Sequence, residues 1–167
     1  MRIRAAAGIS MLAALAIAFG GSPGTPKKED VPKYLRMLTN SSSAKDRALA
    51  AEMLGKRGAI KASDVADGIE PLQEALRSDK DLSVRKAAAQ ALGNVGVDAQ
   101  NVVPLLMDAL KDKNKDLKLA AITALAQFGG EAKDALPALR ELAKETTDKM
   151  LSKTARSAIK AISGKKK

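Results

Sequence analysis

The sequence predicts an all-α solenoid of about four antiparallel helix pairs, and three observations carry that prediction. Pro32, Pro71, Pro104 and Pro137 lie 39, 33 and 33 residues apart, each heading an apolar stretch. An apolar stripe of helical spacing recurs at nearly the same period. A residue able to cap a helix N-terminus stands three positions before every copy of the stripe. A period of this length marks a repeat, in which no unit can bury its apolar face alone and stacking supplies the core.

The prolines come first along each unit. Proline suits the first turn of a helix, where its missing N–H leaves no bond unmade. Val31-Pro32, Glu70-Pro71, Val103-Pro104 and Leu136-Pro137 therefore each open a first helix. The stripe defines the second helix. In the second unit it reads Val84, Ala87, Ala88, Ala91, Leu92 and Val95, the i, i+3, i+4, i+7, i+8, i+11 pattern of one buried helix face. The third unit repeats it as Leu117, Ala120, Ala121, Ala124, Leu125 and Phe128. The first unit (Asp46, Leu49, Ala50, Met53, Leu54, Arg57) and the fourth (Leu151, Thr154, Ala155, Ala158, Ile159, Ile162) carry polar breaks. Terminal repeats need such a wetter outer face.

The expected caps are Ser43, Asp81, Asn114 and Asp148, whose side chains accept from free backbone N–H groups. Gly58, Gly96 and Gly129 close the first three units, where a helix end favours a residue free to take positive φ. The expected helix pairs are 31–39 with 44–57, 69–78 with 82–95, 102–111 with 115–128, and 135–145 with 149–163.

The first twenty residues differ in kind. Arg2 and Arg4 precede an uncharged apolar run from Ala5 to Phe19, and Gly20, Gly21 and Ser22 follow. This is the pattern of a secretory signal peptide, and the run is short of the ~20 residues a bilayer span needs. Residues 1–20 are thus expected to be a signal cleaved between 18 and 26, and residues 21–30 a linker rich in Pro and Gly. The repeat domain occupies 31–163, in units of about 31–58, 69–96, 102–129 and 135–163, and 164–167 is a basic tail. The expected location is extracytoplasmic, periplasmic or secreted.

Composition excludes most catalytic machinery. There is no Cys and no His, so disulfides, thiolate zinc sites, lipid anchoring at cysteine and the commonest general base are all absent. The Asp108, Asp112, Asp116 row is interleaved with Lys111, Lys113 and Lys115 and reads as surface, with Asp112 at a turn. Asp79-Lys80-Asp81 lacks the ligand density of a calcium loop. No catalytic, metal or cofactor residues are therefore expected.

The second-helix segment Asp81-Leu-Ser-Val84-Arg85-Lys-Ala-Ala-Ala-Gln-Ala-Leu92-Gly93-Asn-Val-Gly96 resembles the signature of HEAT repeats, in the HEAT-like variety shared with phycobilisome lyases. The third unit has Leu117-Lys118 for Val-Arg. The resemblance covers about 31–163 and implies a right-handed, armadillo-like superhelix. It also implies a structural ladder of ion pairs or hydrogen bonds through Asp81 and Arg85, stopping at the fourth unit, where Ser152 replaces Arg. Most members of the family are scaffolds or protein-binding modules.

Partner contact is expected on the second helices, off the buried stripe. Three ladders align there: Glu52, Gln90, Thr123, Ser157; Lys56, Asn94, Gln127, Ala161; and Ala48, Lys86, Leu119, Lys153. The expected partner of a monomeric chain is another protein. Net charge is +10, falling to about +8 without Arg2 and Arg4. Residues 31–58 carry six basic and two acidic side chains, and 135–167 nine and three. An alternative is therefore an electrostatic binder of an anionic polymer or a membrane surface, the latter through an uncleaved N-terminal segment or the Lys165–Lys167 tail. Export and the want of aromatic stacking platforms argue against nucleic acid. An enzyme or pigment-lyase-like activity rests on family analogy alone.

Overall fold

The computed structural model describes residues 24–164 of the chain. The expected signal segment and the Lys165–Lys167 tail lie outside the described residues. Among the described residues there are eight α-helices and no strand: α1 (Val31–Asn40), α2 (Ala44–Ile60), α3 (Ile69–Ser78), α4 (Leu82–Val95), α5 (Ala99–Ala109), α6 (Lys115–Phe128), α7 (Leu136–Glu145) and α8 (Lys149–Ile162). Short 3-10 turns at Lys28–Asp30, Ala62–Gly68 and Gly129–Ala135 lead into α1, α3 and α7. Each odd helix packs on the even helix after it, and the even helices stack in series, α2 on α4 on α6 on α8. The odd helices meet one another only sparsely. The tightly packed even layer therefore follows the shorter arc and forms the inner side of an α-solenoid.

The caps show why the even helices begin where they do. Ser43 accepts from Asp46 N, Asp81 from Ser83 N, Asn114 from Asp116 N and Leu117 N, and Asp148 from Met150 N and Leu151 N. Each cap N–H in turn donates to a side-chain oxygen two residues earlier: Ser41, Asp79, Asp112 and Thr146, at 3.2, 2.9, 2.7 and 3.2 Å. One turn geometry thus serves all four hairpins. Gly96 and Gly129 take φ of +65° and +55° just beyond α4 and α6.

Three departures from the sequence reading have physical causes. Gly58 ends nothing: α2 runs on to Ile60, and Gly58 is buried where its bare backbone lets Val95 and Val65 close in. Helix α5 begins at Ala99, three residues early, so Pro104 lies inside it. Asp98 starts that helix from a left-handed conformation (φ 57°), and its carbonyl accepts from Asn101 N and Val102 N. The carbonyl that Pro104 leaves without a helical donor belongs to Gln100, which is exposed and open to solvent. In the expected linker, Pro26 is buried, and Lys27 N donates to Asp30 Oδ2 at 2.9 Å to close the first 3-10 turn.

The stripes of α4 and α6 are buried, with Ala87 half-buried. The core is wider than the stripes, however. Ala51, Ala89 and Ile122 are fully buried on a second face of the even helices, turned toward the next unit. Gly55 and Gly93 make that face possible. A methyl at Gly55 would stand 2.7 Å from Ala91 Cα, and one at Gly93 2.7 Å from Ala124 Cα. Backbone therefore meets side chain directly between successive units.

Candidate functional site

The even helices carry a shallow groove of about 300 Å³ along the inner layer, crossing α2, α4 and α6. Its walls are set by helix register. Positions nine and thirteen residues after each cap project beside the inter-unit seam, giving Glu52 and Lys56, Gln90 and Asn94, Thr123 and Gln127. Ala87, Ala91 and Ala124 form a low apolar floor. Six of the twelve ladder residues expected to face a partner thus line one surface.

The groove is polar and almost uncharged at its centre. Gln127 Nε2 donates to Asn94 Oδ1 at 2.9 Å, joining equivalent positions of neighbouring units. That bond depends on Gly93, because a side chain there would occupy the place of the Gln127 carboxamide oxygen. The Thr123 hydroxyl donates to the Leu119 carbonyl at 2.9 Å, so its proton is used within the helix and its lone pairs face outward. At the α2 end Lys56 holds Glu52 at 2.6 Å. Neutral amides offering both donors and acceptors complement peptide groups better than isolated charges.

The other six lie elsewhere, Ala48 half-buried in α2 and Ala161 exposed on α8. Lys86 and Leu119 are half-buried and outside the groove, on the side of each even helix that meets the next unit. Lys153 and Ser157 line a separate concavity of about 540 Å³ on α8. Among the described residues no cluster of His, Cys, Asp or Glu could hold a metal ion.

The inter-unit ladder needs correction. Asp81 caps α4 and does not pair with Arg85. The carboxylates of the ladder are Asp79 and Asp112, two residues before the caps. Arg47 grips Asp79 with two bonds, of 2.7 and 2.8 Å, and also holds the Ser41 and Ser42 carbonyls of its own turn. Arg85 donates to the Asp79 carbonyl at 2.9 Å and approaches Asp112 at 3.9 Å. The ladder ends one unit earlier than expected: Lys118 takes no part, and Lys115 instead reaches the Asp148 cap at 2.6 Å.

These pairs set the local electrostatics. The hydrogen bonds from Arg47 hold the Asp79 carboxyl below the usual carboxylate range against the opposing effect of its burial. Lys115 does the same for Asp148. Asp64, whose side chain is only 3% exposed, is lowered by Arg57, which donates to it at 2.8 Å. Sequence reading missed Asp79 and Asp112 as ladder members. A signal was there, since all four units place a side-chain oxygen two residues before the cap.

The model of the HEAT repeats family matches the chain twice, over residues 31–100 and 69–160. Among solved structures the chain is similar to an engineered protein of the Northeast Structural Genomics Consortium. The TM-score is 0.67 at 26% identity, over 80% of this chain and 62% of that one. It spans less than two thirds of that protein's length. It is also similar to a designed armadillo repeat protein in complex with the peptide (KR)4, with TM-score 0.65 at 18% identity over 83% and 70% of the two chains. A second designed armadillo repeat protein gives TM-score 0.61 at 20% identity, over 81% and 69%. No curated protein matches the chain.

Proposed function

Since the chain belongs to the HEAT-repeat family, we propose that it is an exported, non-enzymatic module that binds a protein partner along the groove of its even helices. The observation that carries this reading is the convergence of Glu52, Lys56, Gln90, Asn94, Thr123 and Gln127 on one surface spanning three units. The surface is lined by amides whose remaining donors and acceptors can meet a polypeptide backbone. A designed armadillo repeat protein of similar fold holds a peptide, which is consistent with this use of the architecture. The lack of Cys and His removes the usual nucleophile and base, which favours binding over catalysis.

The test is capture from an extracytoplasmic extract with the full chain as bait, at low and at high salt. The expected result is one discrete protein that survives high salt and is lost with Gln90→Arg plus Thr123→Arg. Both positions are exposed, so the double variant keeps the fold. Recovery of nothing but anionic polymer or lipid at low salt would overturn the reading.

A further inference from the structure

Residues one, five, eight and twelve positions after each cap form a second stripe along every even helix, spaced i, i+4, i+7, i+11. This stripe meets the following unit. Its last two positions are Ala51 and Gly55 in α2, Ala89 and Gly93 in α4, and Ile122 and Ala126 in α6, buried or half-buried. Gly55 lies against Ala91 and Gly93 against Ala124, each on the next even helix. In α8 the same four positions are Lys149, Lys153, Arg156 and Lys160. All four are exposed, and among the described residues none has an acidic partner within 4 Å.

A face that served solubility alone would mix both signs of charge. This one holds four cations. They line the concavity of about 540 Å³ together with the hydroxyls of Thr146, Thr147, Ser152 and Ser157. Its single carboxylate, Asp148, is already engaged by Lys115 and caps α8. Stacking a fifth repeat here would cover at least Arg156 and Lys160, whose equivalents in α2, α4 and α6 are buried or half-buried, and would strip water from two unpaired charges at heavy cost.

We propose that the outer face of α8 is a docking surface for an acidic polypeptide segment, laid where a fifth repeat would otherwise stack. Successive cations rise along the helix by about 4.5–6 Å. An extended chain places alternate side chains on one face about 6.6–6.8 Å apart, so carboxylates at every second residue can follow the stripe. Nucleic acid fits less well: of the aromatics among the described residues, Tyr34 lies far away in α1 and Phe128 is buried, so the face has no stacking platform. This surface is distinct from the groove and stands or falls separately.

The test is fluorescence anisotropy of the full chain with a labelled peptide alternating Glu and Ala, beside a single-stranded oligodeoxynucleotide and phosphatidylserine vesicles. The peptide is expected to bind, more weakly as salt rises. Arg156→Glu with Lys160→Glu should lower its affinity about tenfold or more. The equally exposed pair Lys33→Glu with Arg36→Glu should change it far less, and Gln90→Arg with Thr123→Arg should not weaken it. Four outcomes would overturn the proposal: no binding of the peptide, equal loss in the α1 and α8 variants, loss on deleting Lys165–Lys167 but not in the α8 variant, or tighter binding of oligonucleotide or vesicles through the α8 residues.

Discussion

Replacing Gly55 by alanine sets two well-measured effects against each other. Alanine is favoured over glycine within a helix by about 1 kcal/mol, so propensity alone makes Gly55→Ala stabilising. The added methyl would lie 2.7 Å from Ala91 Cα and 2.9 Å from Ala91 Cβ. Carbon atoms in contact rest about 3.5–4.0 Å apart, so α2 and α4 must separate by roughly 1 Å. The obstructing atoms are backbone and Cβ, which no rotamer change can move. A radial gap of that size forfeits up to about half of the dispersion well along the rest of the seam, and overpacking costs typically ~1–3 kcal/mol. With the cost in the upper part of that range, Gly55→Ala should lose about 1–2 kcal/mol net. The assay is thermal unfolding followed by far-UV circular dichroism, with a fall in Tm of roughly 3–8 °C. Gly130→Ala is the control. Gly130 lies in a 3-10 turn with no atom nearer than 3.9 Å to the new methyl, so it should gain about 0.4–1 kcal/mol. A Gly55→Ala protein melting at or above the parent would refute the claim that backbone contact between units holds the inner layer together.

Leu92→Ala and Leu125→Ala, at 1% and 0% exposure, should each cost about 2–5 kcal/mol in denaturant unfolding, whereas Gln90→Ala should stay within about 0.5 kcal/mol. Because the folded Asp79 carboxyl titrates below its unfolded value, the stability it contributes is complete above an unfolded pKa of about 3.9 and is lost as pH falls through the folded value. Asp79→Asn should therefore be less stable than the parent at neutral pH, and the difference should shrink in acid titrations monitored by circular dichroism. N-terminal sequencing of protein from its native host should find a start between Ala18 and Pro26, and a product beginning at Met1 would refute export.

The parts of the fold that could be read in advance are those written in local chemistry. Ser43, Asp81, Asn114 and Asp148 announce their helices because a short oxygen-bearing side chain competes for the first free N–H groups wherever it stands. The groove positions followed from helix register once the stripe phase was known. What escaped notice depends on partners distant in the chain. Arg47 stands where the first unit keeps the ladder arginine, but its partner Asp79, 32 residues on, and its 7% exposure emerge only on folding. Ala51, Ala89 and Gly93 signal nothing by hydropathy, because small residues are equally at home on a surface, yet they form the seam between units. The early start of α5 rests on a left-handed aspartate, which no periodicity reveals. The cations of α8 were visible as a charge excess. Their meaning came only from the face they occupy.

The Arg ladder weakens along the chain: two short bonds from Arg47 to Asp79, a 3.9 Å approach of Arg85 to Asp112, and nothing from Lys118. The close seams change in parallel, with glycine at Gly55 and Gly93 but Ala126 at the matching place before α8. Mechanically the first joint is a two-bond clamp and the last a single tether, Lys115 on the Asp148 cap at 2.6 Å. A load applied at α8 would bear on that half-exposed tether before it reached the buried arginine clamp at the other end.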